Sequence, residues 1–252
     1  MDKQTIKSEE EIKIMAEGGA KLARIKQELE KNIKEDGNAF DIENLAVKLI
    51  EKEGGEASFK MVPGYSWATC INLNKGLVHG IPLKNVVFKK GDVVSVDIGF
   101  FYKNFHTDTS FTVGLRVEKE IEKFLEAGKR ALVKAIQEVS IGKRIYDISG
   151  AIQDEIEKNG YSPIKALVGH GVGKHLHEEP QVPCFRIGER QISQEIINGL
   201  TLAIEVMYAM GSSEVVFEPD GWTISMRDGK ISALYEETVA ATTHGPFILT
   251  EA

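Results

Sequence analysis

The side chains of this chain that are best suited to chemistry are carboxylates and imidazoles spread over its length. Two aspartates lie eleven residues apart, two histidines lie near a glycine-rich run, and two glutamates interrupt apolar runs near the end. Carboxylates combined with one or two imidazoles are typical ligands of a divalent-metal site with open positions. Together they indicate a water-activating, two-metal hydrolase. The six residues are Asp97, Asp108, His170, His177, Glu205 and Glu236.

Each of the two aspartates also has an ordinary structural interpretation. Asp97 interrupts a strand-like run of Val and Ile, where a buried carboxylate requires a cation, a proton or hydrogen bonds. It is equally well explained as a strand-end aspartate that accepts backbone hydrogen bonds. Asp108 alone is typical of a turn aspartate. Only the pairing of the two favours a metal site.

The histidines lie in a glycine-rich segment that leaves their rings accessible. His170 is flanked by glycines, which allow the backbone to curl closely around the imidazole, although a loop histidine with ordinary hydrogen bonds fits as well. We expect His175 at the surface. After His177, either Glu178 or Glu179 could orient its ring or simply be solvated. His79 is predicted at a loop tip.

The glutamates are unusual for their surroundings. Glu205 lies inside an apolar run and needs a partner there. Strand alternation points one of Glu236 and Glu237 inward and the other outward, and the pattern alone leaves both choices open.

Other catalytic templates are missing from the sequence. It contains neither Gly-x-Ser-x-Gly nor His-Glu-x-x-His, and the glycine run does not match the dinucleotide-binding fingerprint. The two cysteines, Cys70 and Cys184, form no Cys-x-x-Cys pair, so neither a disulfide framework nor a thiolate zinc site is indicated.

Composition is typical of a folded protein outside the membrane. Of 252 residues, 42% are hydrophobic and 27% charged, which fits one large domain with a sizeable core. A net charge of −7 argues against nucleic acid as the main partner. No apolar run is long enough to span a membrane, and residues 1–5 carry no apolar signal region. We therefore expect a cytoplasmic protein.

The elements that must position these side chains occur twice in the same order. Two helices, an irregular stretch and strands are predicted first, with a hairpin that turns Asp97 and Asp108 to one side, and the same order then recurs. This order predicts an α+β fold of two similar halves. The predicted helices are 8–35, 41–53, 118–140 and 145–159, the hairpin spans 92–113, the closing strands are 200–209, 214–218, 221–227 and 230–242, and residues 57–90 and the stretch after 160 are irregular.

At this point the motifs resemble those of the type I methionine aminopeptidases. The resemblance covers nearly the whole chain and keeps the order and spacing of the motifs. They are Asp97, Ile204-Glu205 and residues 78–82 (VHGIP), 105–110 (FHTDTS), 169–173 (GHGVG), 177–182 (HEEPQV), 220–223 (DGWT) and 235–238 (YEET). The resemblance implies the pita-bread fold, one catalytic domain over residues 1–252 whose pseudo-twofold halves, about 8–116 and 117–252, surround a curved antiparallel sheet.

The resemblance also assigns roles to the matching positions. Asp97 is expected to chelate one metal, Asp108 and Glu236 to bridge both, and His170 and Glu205 to complete the second. It thereby favours Glu236 over Glu237. The expected catalytic residues are His79, His177 and Glu205. His79 and His177 are also expected to contact the substrate, in a pocket lined by Tyr65, Cys70 and Trp222.

The implied activity is hydrolysis of the N-terminal Met–Xaa bond of nascent proteins, with a small second residue preferred. A metal-bridged hydroxide is the implied nucleophile and Glu205 the general base. The implied cofactors are two divalent ions, Co, Mn, Fe or Zn. The implied partners are nascent N-termini and the ribosome, with a monomeric enzyme.

The chain departs from the family pattern at six positions that are not metal ligands. Glu237 stands where the family usually has histidine, and the hydrophobic Val62 and Leu176 where aromatic pocket residues are frequent. The other three are Val78 for cysteine, Thr107 for glycine and Val206 for proline.

Two other functions are compatible with the same scaffold. An Xaa-Pro aminopeptidase or prolidase has a similar fold and metal set but usually carries a separate N-terminal domain. A non-catalytic peptide- or RNA-binding module typically loses metal ligands, whereas all five candidates are present here.

Overall fold

The computed structural model describes residues 6–251. The predicted lack of a signal region in residues 1–5 and the outer limits of the predicted domain lie outside the described residues. Within the described part, no helix is both long and apolar enough to cross a membrane.

The first two helices are α1 (Glu9–Asn32) and α2 (Ala39–Glu53), so α1 ends three residues before the predicted residue 35 and α2 ends at the predicted residue 53. The Ser8 hydroxyl accepts a hydrogen bond from the Glu11 backbone, and the Glu11 carboxylate accepts one from the Ser8 backbone, so a capping box starts α1. Helix α2 is capped by Gly54, whose φ of 76° is left-handed. It begins two residues earlier than predicted, because the Asn38 side chain caps it.

Helices α3 (Lys119–Gln137) and α4 (Ile145–Lys158) repeat this pairing later in the chain. Their apolar faces enter one core with the strands beneath them. At their contact, Glu155 of α4 is 3% exposed and forms ion pairs with Arg130 and Lys134 of α3.

The strands form one large antiparallel sheet and one small sheet. In the large sheet the order is β1-β4-β5-β12-β9-β7-β8, with β2 also paired to β4, β6 to β9 and β13 to β12. The small sheet has the order β10-β11-β3. The strands are β1 (Glu56–Ala57), β2 (Thr69–Leu73), β3 (Gly76–Val78), β4 (Val93–Tyr102), β5 (Phe105–Gly114), β6 (Ser162–Pro163), β7 (Val168–Gly171), β8 (Glu178–Pro183), β9 (Thr201–Ala209), β10 (Val215–Phe217), β11 (Ile224–Met226), β12 (Ser232–Thr242) and β13 (Gly245–Ile248).

The four central strands come from both parts of the chain. The hairpin β4–β5, which follows α1 and α2, lies beside β12 and β9, which follow α3 and α4. Val94, Val96 and Ile98 of β4 pack with apolar residues of α1 and α2. Because side chains alternate along a strand, Asp97 points away from these helices. The predicted helix, helix, strands order is thus confirmed.

The prediction that residues 57–90 and the stretch after 160 are irregular is wrong in part. The structure places β1, β2 and β3 and a 3₁₀ turn, Ser58–Met61, in the first stretch, and β6, β7 and β8 in the second. These strands have two to six residues, often with Gly or Pro, which is too short for alternation to become visible. His170 therefore lies on a strand rather than in a loop.

A candidate metal centre and peptide pocket

A row of side chains crosses four neighbouring strands on one face of the large sheet. Asp97 of β4 faces Ser110 of β5, Ser110 faces Glu236 of β12, and Glu236 faces Glu205 of β9. Directly opposed residues of antiparallel strands share a face. The backbone register therefore brings together three of the predicted ligands, which are far apart in the sequence.

The other two predicted ligands lie on the same face. Asp108 is two residues before Ser110, and His170 faces Ala203, two residues before Glu205. Ligand atoms of Asp108, His170 and Glu236 lie within 4.8 Å of one another. His170 Nε2 is 3.5 Å from Glu205 Oε1. All five predicted ligands line one cavity of about 150 Å³.

The donor atoms of this cluster fit a metal ion. Within residues 6–251, Asp97 Oδ1, Ser110 Oγ and Glu236 Oε1 are buried without a hydrogen-bond partner. Native structures seldom leave buried polar atoms in this state. His170 Nδ1 lies 2.8 Å from the Gly171 carbonyl, to which it can only donate, and this leaves the lone pair of Nε2 for a cation.

The electrostatics of the cluster support the same conclusion. Burial, and then the negative charge of Asp108, raises the pKa values of Asp97, Glu205 and Glu236 well above their ordinary values. Burial also raises the pKa of Asp108 to about 7 and lowers the pKa of His170 to about 3. Four carboxyl groups cannot all ionise in such a place without positive charge. Divalent cations supply that charge, and oxygen and imidazole donors suit them.

Two further histidines lie at the mouth of the cavity. His79 has a left-handed backbone, φ 58°, a strained conformation that aims its ring from the loop tip predicted above. The ring of His177 contacts that of His170, with centroids 4.5 Å apart. Both residues are exposed to solvent in part, and partial burial of their rings lowers both pKa values. Both are therefore neutral near pH 7.

An apolar pocket adjoins the carboxylates. Tyr65 and Trp222 meet edge to face, with centroids 5.0 Å apart, and the Tyr65 hydroxyl donates to the Thr69 carbonyl. Trp67 packs against the opposite side of this group without lining the cavity. The predicted pocket residues Tyr65, Cys70 and Trp222 are thus brought together, and the apolar lining is completed by Phe59, Val62, Val78 and Leu176.

A buried ion pair joins Lys7 to Glu178, the residue directly after His177 in the chain, and lies outside the lining of the cavity. Their side chains are 2% and 0% exposed, and Lys7 Nζ contacts the Glu178 carboxylate. Glu178 Oε1 also accepts a hydrogen bond from the His175 backbone. Of the two glutamates after His177, Glu178 is therefore structural, while His175 is exposed as predicted.

Two residues of the site were missed by sequence reasoning. Phe59 lines the cavity but lies in a stretch predicted to be irregular, so it shows no periodic pattern. Ser110 shares the alternation of Asp108, which could have placed it on the site face.

The sheet and its cluster of buried carboxylates and imidazoles define a metal-dependent hydrolase. A family model described as metallopeptidase family M24 matches residues 13–243. A methionine aminopeptidase from Clostridium perfringens is 37% identical over 97% of this chain and 98% of its own length. A second from Bacillus subtilis, methionine aminopeptidase 1, is 38% identical over 97% of this chain and 98% of its own.

Solved structures agree. The methionine aminopeptidase of Thermotoga maritima superposes with a TM-score of 0.95 at 37% identity, covering 99% of this chain and 100% of its own. The prolidase of Pyrococcus furiosus has a TM-score of 0.77 at 20% identity, covering 99% of this chain and 66% of its own, and shows the fold alone.

The chain belongs to metallopeptidase family M24 and, within it, to the methionine aminopeptidases. The predicted α+β pita-bread fold and aminopeptidase activity are confirmed.

Proposed function

We propose that this aminopeptidase removes the initiator methionine with two divalent cations and favours a small second residue. Family membership already makes it a metal-dependent aminopeptidase that acts on the N-termini of nascent proteins. The observation that carries the finer proposal is the convergence of five predicted ligands on one cavity beside an apolar pocket.

The proposed ligand set divides between two cations. Asp97 belongs to the first, His170 and Glu205 to the second, and Asp108 and Glu236 to both. Bound divalent cations lower the pKa of water and polarise a carbonyl oxygen. Oxygen and imidazole donors suit Mn, Fe, Co or Zn.

Glu205 is the proposed general base. Its raised pKa suits a carboxylate that takes a proton from water and passes it to the leaving amine. Its position beside His170 and Glu236 supports including it among the proposed ligands.

The neutral histidines are the proposed hydrogen-bond donors to the peptide. His177 would stabilise the developing oxyanion of the carbonyl, and His79 would contact the amide nitrogen. Both line the cavity from its mouth.

The pocket is proposed to select methionine by its shape and surface. Tyr65 and Trp222 offer aromatic rings, against which a thioether sulfur packs favourably, and Cys70 lies at the base next to Asp97. The free α-amine of the substrate would approach Asp97, which restricts cleavage to a chain terminus. Crowding at the mouth favours a small second residue.

The setting proposed for this activity is a single catalytic domain of two pseudo-twofold halves, about 8–116 and 117–252, in a cytoplasmic monomer. The nascent chain is its substrate, and the ribosome is a proposed docking partner.

A digestion assay with mass detection tests the proposal. The metal-free protein is incubated with Met-Ala-Ser or an Ala-Pro peptide after addition of Mn, Fe, Co or Zn. We expect release of methionine alone, dependent on added metal. Cleavage of the Ala-Pro peptide at a higher rate would instead identify a prolidase-like enzyme, and metal binding without cleavage of either peptide would identify a binding module.

A further inference from the structure

The boundary between β5 and β12, here called the seam, is paired differently from its neighbours. Between β12 and β9 the backbone register runs from Ser232–Ala209 to Ala240–Thr201. Within the described residues, the register between β5 and β12 contains only the pair Ser110–Glu236. Other groups must therefore satisfy the backbone along the seam.

On both sides of the Ser110–Glu236 pair, threonine hydroxyls hydrogen-bond the backbone of the opposite strand. Thr238 Oγ1 of β12 accepts from the Asp108 N–H at 2.9 Å and donates to the Asp108 carbonyl at 2.8 Å. Thr112 Oγ1 of β5 does the same for Leu234, at 3.2 and 2.7 Å. Each threonine and its partner lie two residues away from the Ser110–Glu236 pair, one set on each side. The two sets of hydrogen bonds are therefore symmetric about that pair.

A third hydroxyl holds the other seam ligand. Thr109 Oγ1 of β5 donates to the Glu236 carbonyl at 2.8 Å. Lys26 Nζ of α1 lies 3.0 Å from the same hydroxyl and only donates, so Thr109 accepts from Lys26 and its own proton is available to Glu236. The Glu237 carboxylate is a second, more distant acceptor for the Thr109 hydroxyl, at 3.1 Å, and it also pairs with Lys26.

The backbones of Asp108 and Glu236, the two proposed ligands beside the seam, are thus each hydrogen-bonded to a threonine of the opposite strand. We propose that Thr109 and Thr238 are positioning residues that set how Asp108 and Glu236 present themselves to the cations, an inference that rests on the ligand roles proposed above. At both positions a side-chain hydroxyl takes the place of a direct N–H···O=C bond across the seam. The two threonines therefore anchor the backbone from which each carboxylate projects.

Calorimetric titration of the metal-free protein with Mn²⁺ tests this assignment. Thr238→Val keeps the shape and removes the hydroxyl, and Thr238→Ser keeps the hydroxyl. We expect Thr238→Val to lower Mn²⁺ affinity about 10–100-fold, the usual effect of losing a group that orients metal ligands. Thr238→Ser is expected to stay within about threefold of the parent protein. In Thr238→Val, kcat for Met-Ala-Ser should also fall while KM changes little.

Thr112→Val is the control, because it removes the equivalent two hydrogen bonds at Leu234, which is not a proposed ligand, together with the Thr112 Oγ1–Ser95 Oγ bond. It should lose at least as much thermal stability as Thr238→Val and keep Mn²⁺ affinity within about threefold. Equal Mn²⁺ affinity in Thr238→Val and the parent, or an equal loss in Thr112→Val, overturns the assignment.

If Thr238→Val does not fold, Thr109→Val and Thr109→Ser give the same comparison at Glu236. Failure of the parent protein to cleave peptides while Mn²⁺ still binds contradicts the proposed function and not this inference.

Discussion

At the scale of single residues, Glu205 has two proposed roles, metal ligand and general base. It faces Glu236 across the sheet, lies 3.5 Å from the His170 imidazole and has a raised pKa because it is buried. The same features make it a proposed ligand and a proposed proton acceptor. Replacing it by an amide separates these roles, because an amide oxygen can approach a cation but cannot take up a proton at neutral pH.

We therefore expect Glu205→Gln to reduce kcat about 10²–10⁴-fold, the usual contribution of general acid–base catalysis. Elemental analysis of the purified variant should still find most of the metal. Glu179→Gln is the control, because Glu179 is half-buried nearby without lining the cavity. Full turnover in Glu205→Gln contradicts its role as the base.

A second prediction at this scale concerns the pocket and compares the chain's two tryptophans, of which one lines the cavity. Trp222 lines the cavity, whereas Trp67 contacts Tyr65 from outside it. Trp222→Ala should raise KM for Met-Ala-Ser about tenfold with little change in kcat, since the lost contact holds the bound methionine throughout the reaction. Trp67→Ala should keep KM near that of the parent. The same KM in both variants contradicts a role of Trp222 in binding methionine.

At the scale of elements, the contact between α3 and α4 includes a buried carboxylate, that of Glu155 on α4. Glu155 accepts hydrogen bonds from Lys134 and Arg130. Burial acts to raise the pKa of Glu155, but these partners more than offset it, and the pKa falls from its ordinary value of 4.5 to about 2. The helix pair is therefore held by an ionised carboxylate rather than by apolar packing alone.

Glu155→Gln should lower the free energy of unfolding by about 1–3 kcal/mol at pH 7, because the half-exposed partners weaken the pair by solvent screening. A group whose folded pKa is depressed stabilises the protein above its unfolded pKa. The difference between parent and variant should therefore shrink as the pH falls from 4.5 toward 2. Urea unfolding at pH 7, 4 and 3 measures this difference. Glu157→Gln on the exposed side of α4 should have little effect, and a difference for Glu155→Gln that is independent of pH contradicts the assignment.

The long elements could be predicted from sequence and the short ones could not. Helices α1 to α4 and strands β4, β5, β9 and β12 show caps or periodicity over enough residues to be recognised. Strand β7, which carries His170, has four residues, two of them glycine, and its pairing partners lie elsewhere in the chain. Alternation left Glu236 and Glu237 equivalent. The register of β12 decides between them, since it puts Glu236 opposite Glu205 and leaves Glu237 with Lys26.

At the scale of the whole molecule, the proposed metal centre joins the two parts of the chain. Asp97 and Asp108 come from the hairpin that follows α1 and α2, and His170, Glu205 and Glu236 come from strands after α4. A cation that binds only the folded form stabilises it by about 2.7 kcal/mol at a concentration 100 times its dissociation constant. Metal should therefore stabilise the entire fold and not only the site.

For a protein of this size, that gain corresponds to a melting temperature about 5–10 °C higher with Mn²⁺ than with EDTA. Scanning calorimetry of both forms measures the shift. Glu155→Gln, which weakens a distant contact, should melt lower yet keep the full shift, whereas Asp108→Asn should lose most of it. Identical melting temperatures with Mn²⁺ and EDTA contradict the proposed centre.

The spread of the proposed ligands over residues 97–236 has a consequence for the synthesis and folding of this enzyme. None of the five strands that carry them can form the proposed centre alone, because each supplies one ligand residue. While the chain is being synthesised, β4 and β5 emerge long before their partner β12 exists. We therefore expect a translation product that ends before residue 236, which lacks one of the proposed ligands, to be inert toward peptides.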